Sequence, residues 1–406
     1  MSIGIYAPEI RFKGFYGEWV EKQLSEIGSL KNGMNFDKTA MGHGHPFVNL
    51  QDVFGKNEVS DKHLGFAFST EQQRKDYSLN EGDVLFIRSS VKPEGVGEAA
   101  VISKNMDDTT YSGFMIRFRP DIEMDVNFSR FIYSTAKIRK QILASSTSSA
   151  NSNINQESLQ RIKLSLPYEP EQTQIGNTFQ KLDSLLNQHH QKHAKLSNIK
   201  KAMLEKMFPK QGETIPEIRF KGFSGEWKKK ELRQTAIYRN GKAHEKSIDA
   251  NGHYIVVNSK FVSTNGRVKK HSNEQISPLV INEICFVLSD VPNGKAIART
   301  FLITQNNLYT LNQRIAGVTP NENSHHYFLY ILLNRNPYFL KFDDGAKQTN
   351  LSVSDVESFT SLYPSVEEQT QIGNYFQKLD ALINRHQQQI TKLKNIKQAC
   401  LSKIFV

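Results

Sequence analysis

Cysteine is almost missing from this chain of 406 residues, which has only Cys285 and Cys400. That scarcity excludes a disulfide framework and a four-cysteine zinc site, and it fits a reducing compartment. Long apolar runs are missing too. The longest, Tyr327 to Leu333, falls far short of the roughly 20 residues a membrane span needs. The opening MSIGIYAPEIRFKG lacks a basic-then-apolar leader pattern, and Ser2 excludes N-myristoylation. A soluble, cytoplasmic protein with no membrane contact is expected. Phosphate-cradling loops are absent, because Gly95-Val96-Gly97 meets no third glycine at the needed spacing and no Walker loop occurs. Asn336-Pro337-Tyr338-Phe339 approaches an Asn-Pro-Pro-aromatic catalytic box but lacks its second proline and follows an apolar helix. No acid-acid-lysine cluster stands in a nuclease context. No catalytic residue is expected.

What the chain does have, it has twice. Residues 169–208 and 366–405 align without a gap at an offset of 197 (372 − 175), as EPEQTQIGNTFQKLD… and VEEQTQIGNYFQKLD…. Apolar residues recur there at steps of four and three. The first copy has Ile175, Phe179, Leu182, Leu186, Leu196, Met203 and Met207; the second has Ile372, Phe376, Leu379, Ile383, Ile390, Leu393, Cys400 and Ile404. That spacing predicts the seam of a coiled coil rather than the broader stripe of a helix lying on a globule. At 1.5 Å per residue, about 36 residues make a rod of roughly 50 Å. His189 and His386 occupy one equivalent seam position, and Lys200 and Lys397 another; polar seam residues restrict register at a cost in stability. His189 and His193 share a helix face, but Ile390 replaces the second histidine in the other copy. No metal site is expected.

A second repeat heads each half. Residues 8–24 are PEIRFKGFYGEWVEKQL and residues 216–232 are PEIRFKGFSGEWKKKEL. Both tryptophans sit there, beside Phe12, Phe15, Phe220 and Phe223, as strips expected to tie the intervening domains to the rods. The plan is head (1–24), variable domain (25–166), helix and linker (167–215), head (216–232), variable domain (233–365) and helix (366–406). In the first variable domain, strands are expected over 45–50, 83–87, 99–103 and 114–118, and a helix over 128–143. In the second, strands are expected over 253–257, 283–288, 295–301 and 309–318, and a helix over 324–334.

The net charge of +11 invites a nucleic-acid reading. It is unevenly placed, with 17 basic and 17 acidic residues in 25–166 against 14 and 10 in 233–365. A DNA contact must therefore rest on local loops, and solvated helix charge accounts for much of the excess. Three polar stretches in each half can reach phosphates and base edges. The first half offers Asn49 and Gln51, then Arg88, Ser89, Ser90 and Lys92, then Ser148, Asn151 and Asn153. The second offers Asn258 and Lys260, then Ser289 and Lys295, then Lys347, Gln348 and Asn350. Any one of them alone fits an ordinary polar loop better; the signal is their matched placement after equivalent strands.

The duplicated head, domain and rod resemble the DNA specificity subunit of Type I restriction–modification systems. The marks are Pro167 followed by Glu171-Gln172-Thr173-Gln174-Ile175, Pro364 followed by Glu368-Gln369-Thr370-Gln371-Ile372, and Gly82-Asp83-Val84-Leu85-Phe86. Asn282-Glu283-Ile284-Cys285-Phe286 departs from the last, which puts its loop geometry in question. The resemblance implies an α+β fold: two mixed α/β target-recognition domains, an antiparallel coiled coil of two long helices as spacer, and an internal pseudo-twofold. It further implies that each domain reads one half of a split, asymmetric site on double-stranded DNA. The chain would hold no cofactor and do no catalysis. Two modification subunits would methylate adenine with S-adenosylmethionine, and two restriction subunits would use ATP and Mg to translocate and cut. The competing reading is a duplicated coiled-coil adaptor that does not read sequence.

Overall fold

The computed structural model describes residues 7–148 and 151–405. The chain forms two compact units, residues 1–191 with 387–406 and residues 192–386. Each unit therefore takes one head, one variable domain and half of each long helix.

Both units are built on one plan. A head strand closes each variable domain on itself: Val20–Gln23 pairs antiparallel with Lys163–Leu166, and Lys228–Glu231 with Thr360–Tyr363. Inside lies a four-stranded antiparallel sheet. Its order is Gly28–Asn32, Met115–Pro120, Val84–Ile87 and Ala99–Val101 in the first unit. The second unit repeats it with Ala236–Asn240, Ile315–Pro320, Ile284–Val287 and Thr300–Leu302. A three-stranded sheet packs beside each. It joins Gly65–Ala67, Met41–Val48 and Thr110–Tyr111 in the first unit, and His271–Ser272, Tyr254–Val257 and Tyr309–Leu311 in the second.

The sequences Val84-Leu85-Phe86-Ile87 and Ile284-Cys285-Phe286-Val287 are apolar throughout because these strands are covered on both faces. Val84 and Phe86 enter the core that holds Trp19 and Phe128, while Leu85 and Ile87 enter the one that holds Val48 and Tyr111. Ile284 and Phe286 divide from Cys285 and Val287 in the same way. Cys285 thus serves as a small core side chain, its thiol pushed well above the usual range by burial.

Several expected elements differ. The helix expected over 128–143 is two helices, Val126–Ile132 and Ala136–Ser145. The break falls at Tyr133-Ser134-Thr135, where the Ser134 hydroxyl bonds back to the Phe131 carbonyl and Thr135 turns extended to start the next helix. The strand expected over 309–318 is likewise two, Tyr309–Leu311 and Ile315–Pro320, joined by a turn. Of 295–301 only the end is strand, Thr300–Leu302, since Ala298 sits at φ +55°.

The long helices are Glu169–Lys206 and Val366–Ile404. They run antiparallel in each unit. In the first, Lys397 bonds Asp183 at 2.5 Å; in the second, Lys200 bonds Asp380 at 2.6 Å. The seam lysines are therefore ion-paired across the helices, which fixes register by a specific partner. The seam also does more than a coiled coil asks. Ile175 and Phe179 are buried with Phe128 and Phe131 of their own domain, and Ile372 and Phe376 with Phe328. The first three turns of each rod thus lie on a globule, and farther along Leu379 is still part of the second unit's core, with Leu196 and Met203 packed against it, as Leu182 packs against the first. Of the expected seam positions, Leu182, Leu186, His189, Leu196, Met203, Leu379, Ile383, His386, Ile390 and Leu393 range from buried to half-buried.

The two repeats turn out to be partners. Arg11 of the first head grips Glu171 through two bonds of 2.8 and 2.7 Å; Arg219 grips Glu368 through two of 2.7 Å. Both carboxylates are 1% exposed, and the Glu368 bond holds the Arg219 guanidinium above its ordinary pKa. Gln172 and Gln369 each donate to the carbonyl of the proline five residues back and accept an N–H from the domain, from Asp125 and His325 respectively. Trp19 packs edge-on to Phe128 and Phe405, and Trp227 to Phe208 and Phe328. The aromatic strips do join domain to rod.

Candidate nucleic-acid interface

In the first unit, two of the three polar stretches become one surface. Ser89–Ser90 pairs with Ser152–Asn153, which pairs with Thr147–Ser148, giving a small sheet at the end of strand Val84–Ile87. The third stretch joins it at a groove of about 480 Å³ lined by Gln51, Ser89, Ser90, Lys92 and Asn151, with Phe114 as an apolar wall. Asn49 stands at the N-cap of helix Leu50–Val53, where its oxygen accepts the Leu50 N–H at 2.8 Å. Its amide nitrogen stays available while its oxygen orders the turn. Asn153 donates to the Asn151 carbonyl. The Ser148 side chain lies outside the described residues.

Arg88 is exposed and forms no ion pair among the described residues. The carboxylates that could have tied it down are engaged elsewhere. Asp83 takes two bonds of 2.7 Å from Arg119, whose guanidinium it holds above the usual range, and Glu98 accepts the Gly55 N–H. The Arg88 backbone is fixed by bonds to Phe114 and Ile154. A main chain held by backbone bonds thus presents an exposed guanidinium, a form suited to a phosphate or a guanine edge.

The second unit keeps the plan with fewer parts. Ser289–Asp290 pairs with Thr349–Asn350, and Gln348 donates to Ser289 and Asn350. Ser289 is buried by that contact. Asn258 caps helix Ser259–Ser263 by accepting the Phe261 N–H, as Asn49 caps its own. Lys260, Lys295 and Lys347 are exposed. Asp290, next to Ser289 in the same polar stretch, organises the loop: its carboxylate accepts the N–H groups of Val291, Ala296 and Ile297 at 2.9, 2.5 and 3.0 Å. Val91 and Val291, at matched loop tips, are 82% and 64% exposed. An apolar residue beside Lys92 or Pro292 was the signal for them.

The departure at Asn282-Glu283 leaves the loop intact. Gly82 and Asn282 both adopt left-handed φ, +86° and +68°, a conformation asparagine tolerates. Asp83 accepts the Asn80 N–H, and Glu283 the Val280 N–H. Only the arginine moves: Asp83 pairs with Arg119 on the adjacent strand, and Glu283 with Arg239 on the strand beyond it. Gly317 makes room, since a Cβ there would lie 2.2 Å from the Glu283 carboxylate.

Two exposed loop clusters on equivalent sheets, carried by duplicated heads and helices, define a two-module binding protein. Residues 16–200 and 224–395 each match the Type I restriction modification DNA specificity domain, and the chain belongs to that family. It is 20% identical over 395 residues, 93% of this chain and 91% of the other, to a Methanocaldococcus jannaschii protein assigned as the MjaX type I restriction enzyme specificity subunit. It is 23% identical over 190 residues to the Escherichia coli EcoKI specificity subunit, spanning 45% of this chain and 41% of that one. The fold is similar to that of the type I restriction-modification S subunit of M. genitalium, with a TM-score of 0.66, 15% identity and coverage of 98% and 99%. No helix among the described residues is long and apolar enough to cross a membrane.

Proposed function

We propose that this chain is the sequence-reading, non-catalytic subunit of a Type I restriction–modification complex. Each unit reads one half of a split, asymmetric DNA site. The reading is carried by one observation: equivalent loops on a duplicated scaffold bear unlike side chains, such as Arg88 and Ser90 against Leu288 and Asp290. Different readers on matched mounts suit two unlike half-sites. Asn49, Gln51, Arg88, Ser89, Ser90, Lys92, Asn151 and Asn153 would serve one half, and Asn258, Lys260, Ser289, Lys295, Lys347, Gln348 and Asn350 the other. Two modification subunits would methylate adenine with S-adenosylmethionine, and two restriction subunits would supply ATP- and Mg-dependent cleavage. This chain would bind none of those cofactors, and its place would be the cytoplasm.

The test is a genome-wide map of adenine methylation in cells making this chain with its modification subunit. A split motif with two unlike halves is expected; methylation without a motif, or a single continuous motif, would refute the proposal. Arg88→Ala refines it. A bidentate guanine contact is worth about 1–3 kcal/mol, roughly a 5- to 150-fold loss confined to the cognate site. A phosphate contact would instead weaken cognate and random duplex alike and lower the salt slope by about one.

A further inference from the structure

We propose that Arg314 is the arginine through which the second unit reads its half of the DNA, by pairing with a guanine edge. The inference rests on the function proposed above and adds a residue to it.

Each variable domain holds one arginine whose side chain is left over. Of the seven arginines in residues 25–166, Arg74, Arg117, Arg119, Arg130, Arg139 and Arg161 each bond a carboxylate or a backbone carbonyl. Arg88 is exposed and has no side-chain partner among the described residues. Of the six in residues 233–365, Arg233, Arg239, Arg267, Arg299 and Arg335 are bonded in the same way. Arg314 is the one that remains, exposed and without a side-chain partner among the described residues. A guanidinium with five N–H donors, none spent within its own domain, is open to an acceptor from outside.

The two arginines stand on opposite sides of one hydrogen bond. The Arg88 N–H donates to the Phe114 carbonyl at 2.8 Å, and the Leu288 N–H donates to the Arg314 carbonyl at 3.1 Å. Positions 88 and 114 therefore correspond to 288 and 314, both at an offset of 200 (288 − 88 and 314 − 114). The turn before the second position agrees. The Phe114 N–H bonds the Ser112 hydroxyl and the Arg314 N–H bonds the Asn312 side-chain carbonyl, each at 3.3 Å. The strands keep the same register, with Ile87 opposite Met115 and Val287 opposite Ile315. Arginine and apolar residue have thus changed places between the units. Leu288 is 7% exposed and belongs to the core, so the second unit presents no charge from that strand end. Phe114 borders the groove lined by Gln51, Ser89, Ser90 and Lys92. Arg314 fills the position that borders the reading surface.

Guanine rather than phosphate follows from the division of donors. Lys260, Lys295 and Lys347 are exposed on the loops of the same unit, and a point charge suffices for a phosphate. An arginine adds a planar fork that matches the O6 and N7 acceptors of guanine. Carboxylates of these loops are engaged elsewhere: Asp290 accepts three backbone N–H groups, and Glu245 accepts from Gln313. The Arg314 main chain, bonded to Leu288 and Asn312, gives the side chain a fixed mount.

The experiment uses this chain in complex with its modification subunit. The methylation map is repeated for Arg314→Ala and for Arg88→Ala. Arg314→Ala should relax a single guanine position within one half-site, a half that Arg88→Ala does not relax. On the mapped duplex Arg314→Ala should bind roughly 5- to 150-fold more weakly, with no loss on random duplex. Replacing that guanine by 7-deazaguanine, which lacks the N7 acceptor, should weaken the parent and cost Arg314→Ala nothing further. Arg314→Lys keeps the charge without the fork and should discriminate no better than alanine. The melting temperature of Arg314→Ala should equal that of the parent, because the side chain spends no bond in the fold. Weakening shared by random duplex and restored by lysine would mark a phosphate grip and overturn the proposal. So would an unrelaxed motif, or relaxation of the same half by both variants. A parent complex that yields no split motif would instead refute the functional reading itself, and this proposal with it.

Discussion

Gly176 and Gly373 occupy the same position in the repeated helices, yet replacing them by alanine should have unlike effects. A Cβ at Gly176 would lie 2.5 Å from the Phe128 backbone nitrogen, 2.6 Å from Asp125 Oδ1 and 2.9 Å from the Asn127 carbonyl carbon. Two of those three atoms are backbone, part of a helix start pinned by the Asp125 cap. Forcing them apart costs about 1–3 kcal/mol, and the conformational clash leaves little of the roughly 1 kcal/mol that alanine gains over glycine in a helix. A Cβ at Gly373 meets His325 Nδ1 at 2.3 Å and Cε1 at 2.6 Å, with the nearest backbone atom, Phe328 N, at 3.1 Å. An imidazole can swing aside, so the strain there is smaller and the helix gain roughly offsets it. The expected difference is on the order of 2 kcal/mol. For a unit of about 200 residues this is a drop of roughly 4–8 °C for Gly176→Ala with little change for Gly373→Ala. Differential scanning calorimetry of the full chain, with each variant compared to the parent, measures it. Equal shifts, or a larger loss at Gly373, would refute the distinction between a backbone clash at Gly176 and a side-chain clash at Gly373.

Arg11→Ala leaves the Glu171 carboxylate buried without its two bonds, so a loss of about 3–5 kcal/mol is expected by chemical denaturation; Glu171→Gln with Arg11→Met should recover most of it. Asp290→Ala removes the acceptor of three backbone N–H groups, and exchange of the Ala296 and Ile297 amides should speed up at least tenfold while the Phe286 amide is unchanged. His325 is held down to about 4 by burial first and by His326 second, and His326 is lowered in the same direction by burial. A histidine depressed in the folded state favours its neutral form there. Its stabilising contribution is therefore complete above the unfolded value near 6.5 and declines as the pH falls toward about 4. His325→Asn should flatten the decline in melting temperature over that interval, and an unaltered slope would assign it to other groups.

The duplicated architecture was legible because repetition needs no structural knowledge, and the period of the helical seam is visible in Ile175, Phe179, Leu182 and Leu186. The buried strands were legible in outline for the same reason, Val84 to Ile87 being apolar at every position. What sequence could not supply was long-range pairing. Arg11 and Glu171 lie 160 residues apart, and each alone is an ordinary charged residue at the start of a motif. Their joint recurrence as Arg219 and Glu368 was the available clue. The helix break at Ser134 was obscured because 128–143 keeps helical apolar spacing on both sides, and the local hydroxyl bonds that interrupt it carry no periodicity. Of the candidate contacts, Arg88 is singled out by sequence through its place after a strand and before a Ser-Ser-Val-Lys-Pro turn; that Asp83 and Glu98 are engaged elsewhere is visible only in the structure.

The pattern of what is kept and what varies follows from those contacts. Every element that one repeat uses to hold the other is the same in both halves: the head arginine, the Glu-Gln pair, the glycine, the tryptophan, and the lysine and aspartate of the crossing helices. Each has a buried or close-packed partner, so changing one side alone leaves a charge unpaired or an atom overlapped. The strands Val84–Ile87 and Ile284–Val287 vary more freely, because Leu85 and Cys285 need only fill apolar space. The loops beyond them vary most. Arg88 and Lys92, Lys295 and Lys347 make no ion pair among the described residues, so their replacement costs the fold little. A scaffold with that distribution of constraint can exchange its reading loops without disturbing its mounts. The acidic residue at 83 or 283 marks the border: it still fixes a turn, but its arginine comes from the adjacent strand in one unit and from the strand beyond it in the other, as Arg119 and Arg239 do.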